Sequence, residues 1–158
     1  MSQDLELPAI DPMFADVSLG SSYPAAYRAP MQERVKRKLG PRLGLRQMGV
    51  NIVELPPSGW SSQRHWHSDE EEFIYVLQGE VWLVTDTGEQ LLRSGTAAGF
   101  PAGIPDGHHL VNRSAEVAVI MEVGTRRPGD TITYPDVNLI LETGPGGKNF
   151  KDVDGNPV

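Results

Sequence analysis

The amino-acid sequence contains no cysteine. Disulfide bonds and metal sites built on thiolates are therefore excluded. This absence fits a reducing cytoplasm, although exported proteins can lack cysteine as well. The first ten residues also lack a basic region followed by an apolar stretch, so we expect no secretory signal and a cytoplasmic location.

Long apolar runs and an excess of positive charge are missing too. The longest apolar runs, such as residues 117–121, are far too short to span a bilayer, so we expect no membrane insertion. The chain has 14 basic and 21 acidic residues and a formal net charge of −7, which argues against nucleic-acid binding. One basic cluster exists, and we interpret it as a solvent-exposed helix face; it consists of Arg34, Lys36, Arg37, Lys38 and Arg42.

Glycine and proline are abundant, with 17 and 13 among 158 residues. They indicate many turns between short elements and favour a β-rich fold of about one domain. Helical spacing is confined to Met31, Val35 and Leu39, which predicts one short helix over about 31–39. Residues 1–30 carry prolines without a sustained period and predict an extended arm, lying over the barrel or over a partner subunit.

Short β-strands are predicted for most of the remaining chain. Apolar and β-branched runs near 45–55, 61–67, 72–77, 80–85, 89–93, 97–100, 108–112 and 117–123 are separated by turn residues. This spacing is typical of an all-β sandwich or barrel. We predict an N-terminal arm with the short helix at 1–42, a barrel at 43–143 and an irregular tail at 144–158.

The most informative stretch is 59–79. His65 and His67 are separated by one residue, so on a β-strand their side chains leave the same face. Two imidazoles pointing one way are half of a metal site. An acidic run at 69–72 precedes the strand predicted at 72–77, and the turn between strands can bring one carboxylate opposite the histidines.

The spacing in this stretch resembles the first signature of the cupin superfamily. That signature runs glycine, five residues, His-x-His, three or four residues, glutamate, six residues, glycine. Its positions are filled here by Gly59, His65, His67, Glu72 and Gly79. A gap of three would select Glu71 instead, but Glu71 breaks the six-residue spacing to the second glycine.

A second stretch resembles the second cupin signature, which runs glycine, five residues, Pro-x-Gly, two residues, histidine, three residues, asparagine. The matching residues are Gly95, Pro101, Gly103, His108 and Asn112. Four residues, instead of two, separate Gly103 from His108.

This departure leaves alternatives for the fourth ligand. Asp106 stands where the family has its histidine, so either the loop is two residues longer or Asp106 replaces the histidine. His108 and His109 are neighbours, and on a strand only one of them can face inward. We select His108 because it shares a strand face with Asn112.

The resemblance implies a double-stranded β-helix (jelly-roll) barrel with one divalent transition metal, namely Fe, Mn, Ni, Co or Zn. The implied ligands are His65, His67, Glu72 and His108. The chain also resembles small single-domain bacterial cupins, some of which carry sugar-phosphate isomerase labels.

A six-coordinate ion held by four protein ligands keeps two positions for water or substrate. The implied function is therefore dioxygenase-like or sugar-phosphate-isomerase-like chemistry on a small oxygen-rich metabolite, or ligand binding without turnover. Gln63, Phe100 and Tyr134 are candidate substrate-lining residues. Because short barrels leave edge strands that need covering, we also expect a homodimer.

Overall fold

A computed structural model describes residues 5–158. The strands are β1 (Asp16–Leu19), β2 (Val35–Lys38), β3 (Met48–Leu55), β4 (Trp66–His67), β5 (Glu72–Gln78), β6 (Glu80–Thr85), β7 (Gly88–Arg93), β8 (Ala97–Phe100), β9 (His109–Val111), β10 (Ala118–Thr125), β11 (Thr131–Tyr134), β12 (Leu139–Gly144) and β13 (Gly147–Lys151). A short helix, α1, spans Leu39–Arg42, and 3-10 turns occur at Pro12–Phe14, Ala25–Tyr27 and Ala29–Met31.

The strands form three antiparallel sheets. The largest has the order β1-β2-β3-β10-β5-β8, a second has β13-β12-β11-β4, and a third has β7-β6-β9. Strands make up 46% of the residues and helices 8%, so the all-β prediction is confirmed. Among the described residues, no helix is long and apolar enough to cross a membrane.

Alternating burial explains why these segments form strands. Ile74 and Val76 on β5, and Val81 and Leu83 on β6, are buried at every second position. Side chains at positions i and i+2 leave the same face of a strand, so each strand turns an apolar face inward. The resulting core consists of Val53, Leu55, Ile74, Val76, Val81, Leu83, Leu92, Leu110, Ala118 and Ile120.

The helix predicted over 31–39 is wrong. Val35–Lys38 form strand β2, which pairs with β1 on one side and with β3 on the other, and the helix α1 begins only at Leu39. The apolar spacing of four residues is compatible with a helix, but backbone pairing to β3 satisfies the hydrogen bonds of this segment instead.

The irregular tail predicted after residue 144 is also wrong. β12 and β13 form a hairpin whose register runs from Gly144↔Gly147 to Ile140↔Lys151. The glycines and the proline at 144–147 therefore supply the turn of the hairpin. Phe150 packs beside Tyr134 and Leu141 in a second, smaller apolar cluster.

Candidate metal centre

Strand pairing brings the two histidine motifs together. His67 lies on β4, and His65 and His108 form a backbone bridge in which each N–H donates to the other carbonyl, at 3.1 and 2.9 Å. Glu72 begins β5, between β8 and β10, where it pairs with Phe100 and Gly124. The side chains are therefore positioned by the barrel backbone and not by a flexible loop.

Three imidazoles surround one carboxylate oxygen. The Nε2 atoms of His108, His65 and His67 lie 2.7, 3.1 and 3.4 Å from Oε2 of Glu72. The three rings are mostly buried, with exposed side-chain fractions of 7–11%. The structure thus brings together all four residues that the cupin resemblance implies as ligands.

The other ring nitrogen of each histidine faces an oxygen that can only accept. Nδ1 of His67 lies 2.6 Å from Oδ2 of Asp130, Nδ1 of His65 lies 2.9 Å from the Gln63 carbonyl, and Nδ1 of His108 lies 3.4 Å from the Asp106 carbonyl. Each Nδ1 is therefore the protonated donor, which leaves the lone pair on Nε2. Metal-binding histidines are oriented in this way in proteins.

This arrangement fits a cation. Three Nε2 lone pairs and a carboxylate oxygen are all acceptors, so at these distances a positive charge is needed among them. Three imidazoles and one carboxylate are also a suitable ligand set for a divalent transition metal.

The pKa values of Glu72 and His67 also indicate charged groups in the cluster. Burial disfavours the charge of Glu72, but the imidazoles of His65, His108 and His67 outweigh burial and hold the pKa of its carboxyl well below the usual range. Burial also opposes protonation of His67, yet the carboxylates of Glu72 and Asp130 raise its pKa to about 9. The metal-free cluster therefore retains an anionic carboxylate, and at neutral pH a proton on His67 supplies the positive charge that a bound cation would replace.

Asp130 is a functional candidate that sequence reasoning missed. Its side chain is fully buried beside His67, and its Oδ1 accepts from the backbone N–H groups of Asp69 and Glu70 at 2.9 and 3.1 Å. Asp130 thereby ties the acidic turn to the start of β11 and orients His67. No motif marks it, since it is a single aspartate after a glycine.

The alternative ligands Asp106, Glu71 and His109 make other contacts. Oδ1 of Asp106 accepts from the backbone N–H of Asp86 at 2.8 Å, and the side chain of Glu71 is exposed. His109 directs Nδ1 at the Ser62 carbonyl, 3.0 Å away, and its ring packs edge-on against Trp60. The structure brings only His108, of these residues, to the carboxylate of Glu72.

A cavity of about 220 Å³ opens beside the four residues. Phe100 and Tyr134, two of the predicted substrate-lining residues, lie on its wall. The Phe100 ring stacks on the imidazole of His108, with 3.5 Å between the ring centroids. Gln63, the third predicted residue, is not among the lining residues; its amide donates to the Tyr27 carbonyl at 2.7 Å and holds a 3-10 turn.

Comparison with known proteins agrees with this geometry. A family profile described as a cupin domain matches residues 51–124. A sugar phosphate isomerase of the cupin superfamily from Silicibacter pomeroyi shares 40% sequence identity, with 96% of each chain covered and a TM-score of 0.92. A candidate sugar phosphate isomerase from Acidithiobacillus ferrooxidans shares 31% identity over 80% of each chain, with a TM-score of 0.73.

The polyketide cyclase RemF from Streptomyces resistomycificus shares the fold at 24% identity, with 77% of this chain and 82% of its own covered and a TM-score of 0.63. No curated protein gives a significant match. The fold is that of a jelly-roll barrel, and the three histidines and Glu72 form one cluster inside it. The chain belongs to the cupin superfamily, and the resemblance seen in its sequence is confirmed.

Proposed function

We propose that this protein is a metal-dependent enzyme of the sugar-phosphate isomerase type. The observation that carries the proposal is the convergence of three Nε2 atoms on one carboxylate oxygen, at the wall of a cavity large enough for a small metabolite. The similarity to two chains described as sugar phosphate isomerases supports this choice of reaction.

His65, His67, His108 and Glu72 would hold one divalent ion, which is Fe, Mn, Ni, Co or Zn by the chemistry of these ligands. When bound, the ion supplies Lewis acidity toward a carbonyl and a neighbouring hydroxyl group. The cavity wall encloses the substrate beside the ion. Phe100 and Tyr134 shield the substrate from bulk water, which strengthens every electrostatic contact inside.

Isomerisation also needs a group that takes a proton from the carbon next to the carbonyl. Besides the four ligands, His109 and Glu122 are the cavity-lining side chains that can accept a proton. Glu122 is held in an ion pair with Lys36 at 2.8 Å. His109 donates from Nδ1 to the Ser62 carbonyl and packs edge-on against Trp60, on the strand face opposite His108, so we assign the proton transfer to neither residue.

Metal content is the first test. Protein purified without an affinity tag is compared by elemental analysis with a His65→Ala/His67→Ala variant. We expect about one ion per chain in the wild type and little in the variant. Equal content in both proteins would overturn the metal site. If the wild type holds an ion, anomalous scattering at the metal absorption edges identifies the ion and its ligands.

The reaction is tested separately with sugar phosphates in deuterated water. We expect exchange of the proton next to the carbonyl without oxygen consumption. Consumption of oxygen would favour a dioxygenase built on the same ligands. Saturable binding with neither signal would indicate a binding protein without turnover.

We also propose that the protein is a homodimer. β1 lies at the edge of the six-stranded sheet in the part of the chain that the structure describes, and Val17 and Leu19 on this strand are 54% and 71% exposed. An edge strand with exposed apolar side chains is a site where a second chain can pair.

A further inference from the structure

The cavity wall carries more positive than negative charge. Its basic side chains are Arg34, Lys36, Arg126 and Lys148, whereas its carboxylates are Glu72 and Glu122. This distribution is unexpected in a protein with a formal net charge of −7. Because a cleft concentrates the field of its own charges, this cavity favours an anionic ligand although the molecule as a whole is acidic.

Two of these cations come from the basic cluster that the sequence analysis interpreted as a helix face. The cluster lies on and around strand β2, where alternation separates its members. Arg34 and Lys36 line the cavity, whereas Arg37 reaches Glu54, with 3.3 Å between Nε and Oε1. The solvent-exposed helix interpretation is therefore wrong for this segment.

Arg34 has a structural task. Its guanidinium donates to the Gly20 carbonyl at 2.8 Å and also to the Ser61 carbonyl, so its donors are used within the fold. Lys36 is partly neutralised by Glu122. These two residues add positive charge to the cavity, but Arg34 has little capacity left for a ligand.

Lys148 is differently placed. It lies on β13 at the solvent-open part of the cavity wall, and its ammonium contacts the Ser22 hydroxyl at 3.3 Å. In the described part of the chain, no carboxylate forms an ion pair with it. Partial loss of hydration, followed by the charges of Lys36 and Arg126, lowers the pKa of Lys148. An anion between these groups would relieve that repulsion.

The fold makes room for Arg126. Gly49 on β3 and Gly124 on β10 are paired in register, and the Arg126 guanidinium lies across this glycine pair. A Cβ atom at Gly49 would collide with the guanidinium, and one at Gly124 would lie 3.4 Å from its Nη1. The paired glycines thus let Arg126, which follows β10, fold back to the cavity, where its Nη1 also lies 3.6 Å from Oε2 of Glu70.

We propose that Lys36, Arg126 and Lys148 form a phosphate subsite in the cavity that the histidine cluster also lines. A phosphate group accepts several charge-assisted hydrogen bonds, and an ammonium plus a planar guanidinium supply such donors. This inference rests on the proposed function for the identity of the substrate, since it assigns the phosphate of a sugar phosphate to these residues. Binding of phosphate itself requires only the three side chains.

The test uses inorganic phosphate and the His65→Ala/His67→Ala variant, so that binding to a metal does not contribute. Titration calorimetry at low salt should show saturable binding. Adding Lys148→Gln should weaken it about tenfold, because one charge-assisted hydrogen bond is lost. Lys36→Gln should weaken it as well.

Lys151→Gln is the matched control. Lys151 lies on the same strand three residues further on, so its side chain leaves the opposite face, where it pairs with Glu142 at 2.6 Å. We expect this variant to bind phosphate as its parent does. An equal loss in both variants would show a general charge effect and overturn the subsite, as would full binding by the Lys148→Gln variant.

The outcomes separate this inference from the proposed function. Metal uptake without phosphate binding would overturn the subsite and leave the metal site standing. Phosphate binding that depends on Lys148, in a protein that takes up no metal, would support the subsite and contradict the isomerase. Urea unfolding of each variant checks that a loss of binding does not come from a loss of folded protein.

Discussion

At the residue scale, Asp130 offers the sharpest test of how the histidines are oriented. Replacing Asp130 with Asn removes the charge opposite Nδ1 of His67, and the amide cannot accept at both of its ends as the carboxylate does. We expect metal affinity to fall about 10- to 100-fold in competition with a chelator. Asp136→Asn, which alters a surface ion pair with Arg64, is the control and should retain metal affinity.

A retained affinity in the Asp130→Asn variant would contradict the positioning role. Urea unfolding separates the two possible effects of this substitution. Loss of the bonds to the acidic turn should lower the free energy of unfolding by about 1–3 kcal/mol, whether or not metal is present.

The assignment of the fourth ligand is tested by three alanine variants. His108→Ala should lose most of the metal, because it removes the Nε2 atom 2.7 Å from Glu72. His109→Ala and Asp106→Ala should retain it, since neither side chain contacts Glu72. The measurement is metal content per chain after dialysis. Loss of metal in the Asp106 variant alone would show that the loop alignment is wrong.

The buried tyrosines predict a response to alkaline pH. Burial raises the pKa of Tyr23 to about 12, and its ring lies edge-on 5.4 Å from Tyr134. A raised pKa means that the folded protein holds the phenol proton more tightly than the unfolded chain. The contribution of this proton to the free energy of unfolding is complete below pH 10, and it is lost as the pH rises from 10 toward 12.

We expect the free energy of unfolding to fall by about 2 kcal/mol over this interval through Tyr23. Denaturant unfolding at several pH values provides the measurement, and Tyr23→Phe is the control that lacks the titrating group. If the Tyr23→Phe variant loses as much free energy of unfolding between pH 10 and 12 as the wild type, the loss comes from other residues.

Local spacing explains which site residues could be predicted from the sequence. His65 and His67 are close in the chain, and strand alternation indicates that they share a face, whereas the cupin resemblance selects Glu72 from the acidic run. Asp130 is 63 residues from His67, and only the pairing of β4 with β11 brings the two together. Lys148 likewise reaches the cavity only because β13 folds back as a hairpin.

At the scale of elements, β2 shows where sequence patterns are ambiguous. Apolar residues four apart fit a helix, but the segment from Arg34 to Lys38 also fits strand alternation. The backbone partners decide between them, because β2 is hydrogen bonded to both β1 and β3. The central hairpins could be predicted because their turn residues and alternation are local, whereas the end segments depend on distant strands.

β1 carries the prediction about assembly. If its exposed edge pairs with a second chain, then Val17→Lys together with Leu19→Lys should convert a dimer into a monomer, because charges on an edge strand oppose pairing. Light scattering coupled to size exclusion gives the mass. Val153→Lys, at a site 62% exposed outside this strand, should remain dimeric. An unchanged mass in the double variant would exclude β1 as the interface.

At the scale of the whole molecule, metal binding and stability are linked. The cluster gathers four acceptor atoms at a buried site, so a cation that binds the folded chain and not the unfolded chain adds to the free energy of unfolding. At a free metal concentration 1,000 times the dissociation constant, the gain is about 4 kcal/mol. For a chain of this length, that corresponds to a rise in Tm of roughly 10 °C.

The measurement compares thermal unfolding in chelator and in excess metal. The wild type should show the rise, whereas His65→Ala/His67→Ala should show almost none, because two of the four ligand atoms are gone. The metal-free wild type should still fold, since the core of β3, β5, β6 and β10 does not include the cluster. An equal rise in Tm in both proteins would show that the stabilising ion binds outside the histidine cluster. Unfolding of the wild type in chelator would make the ion a structural part of the barrel.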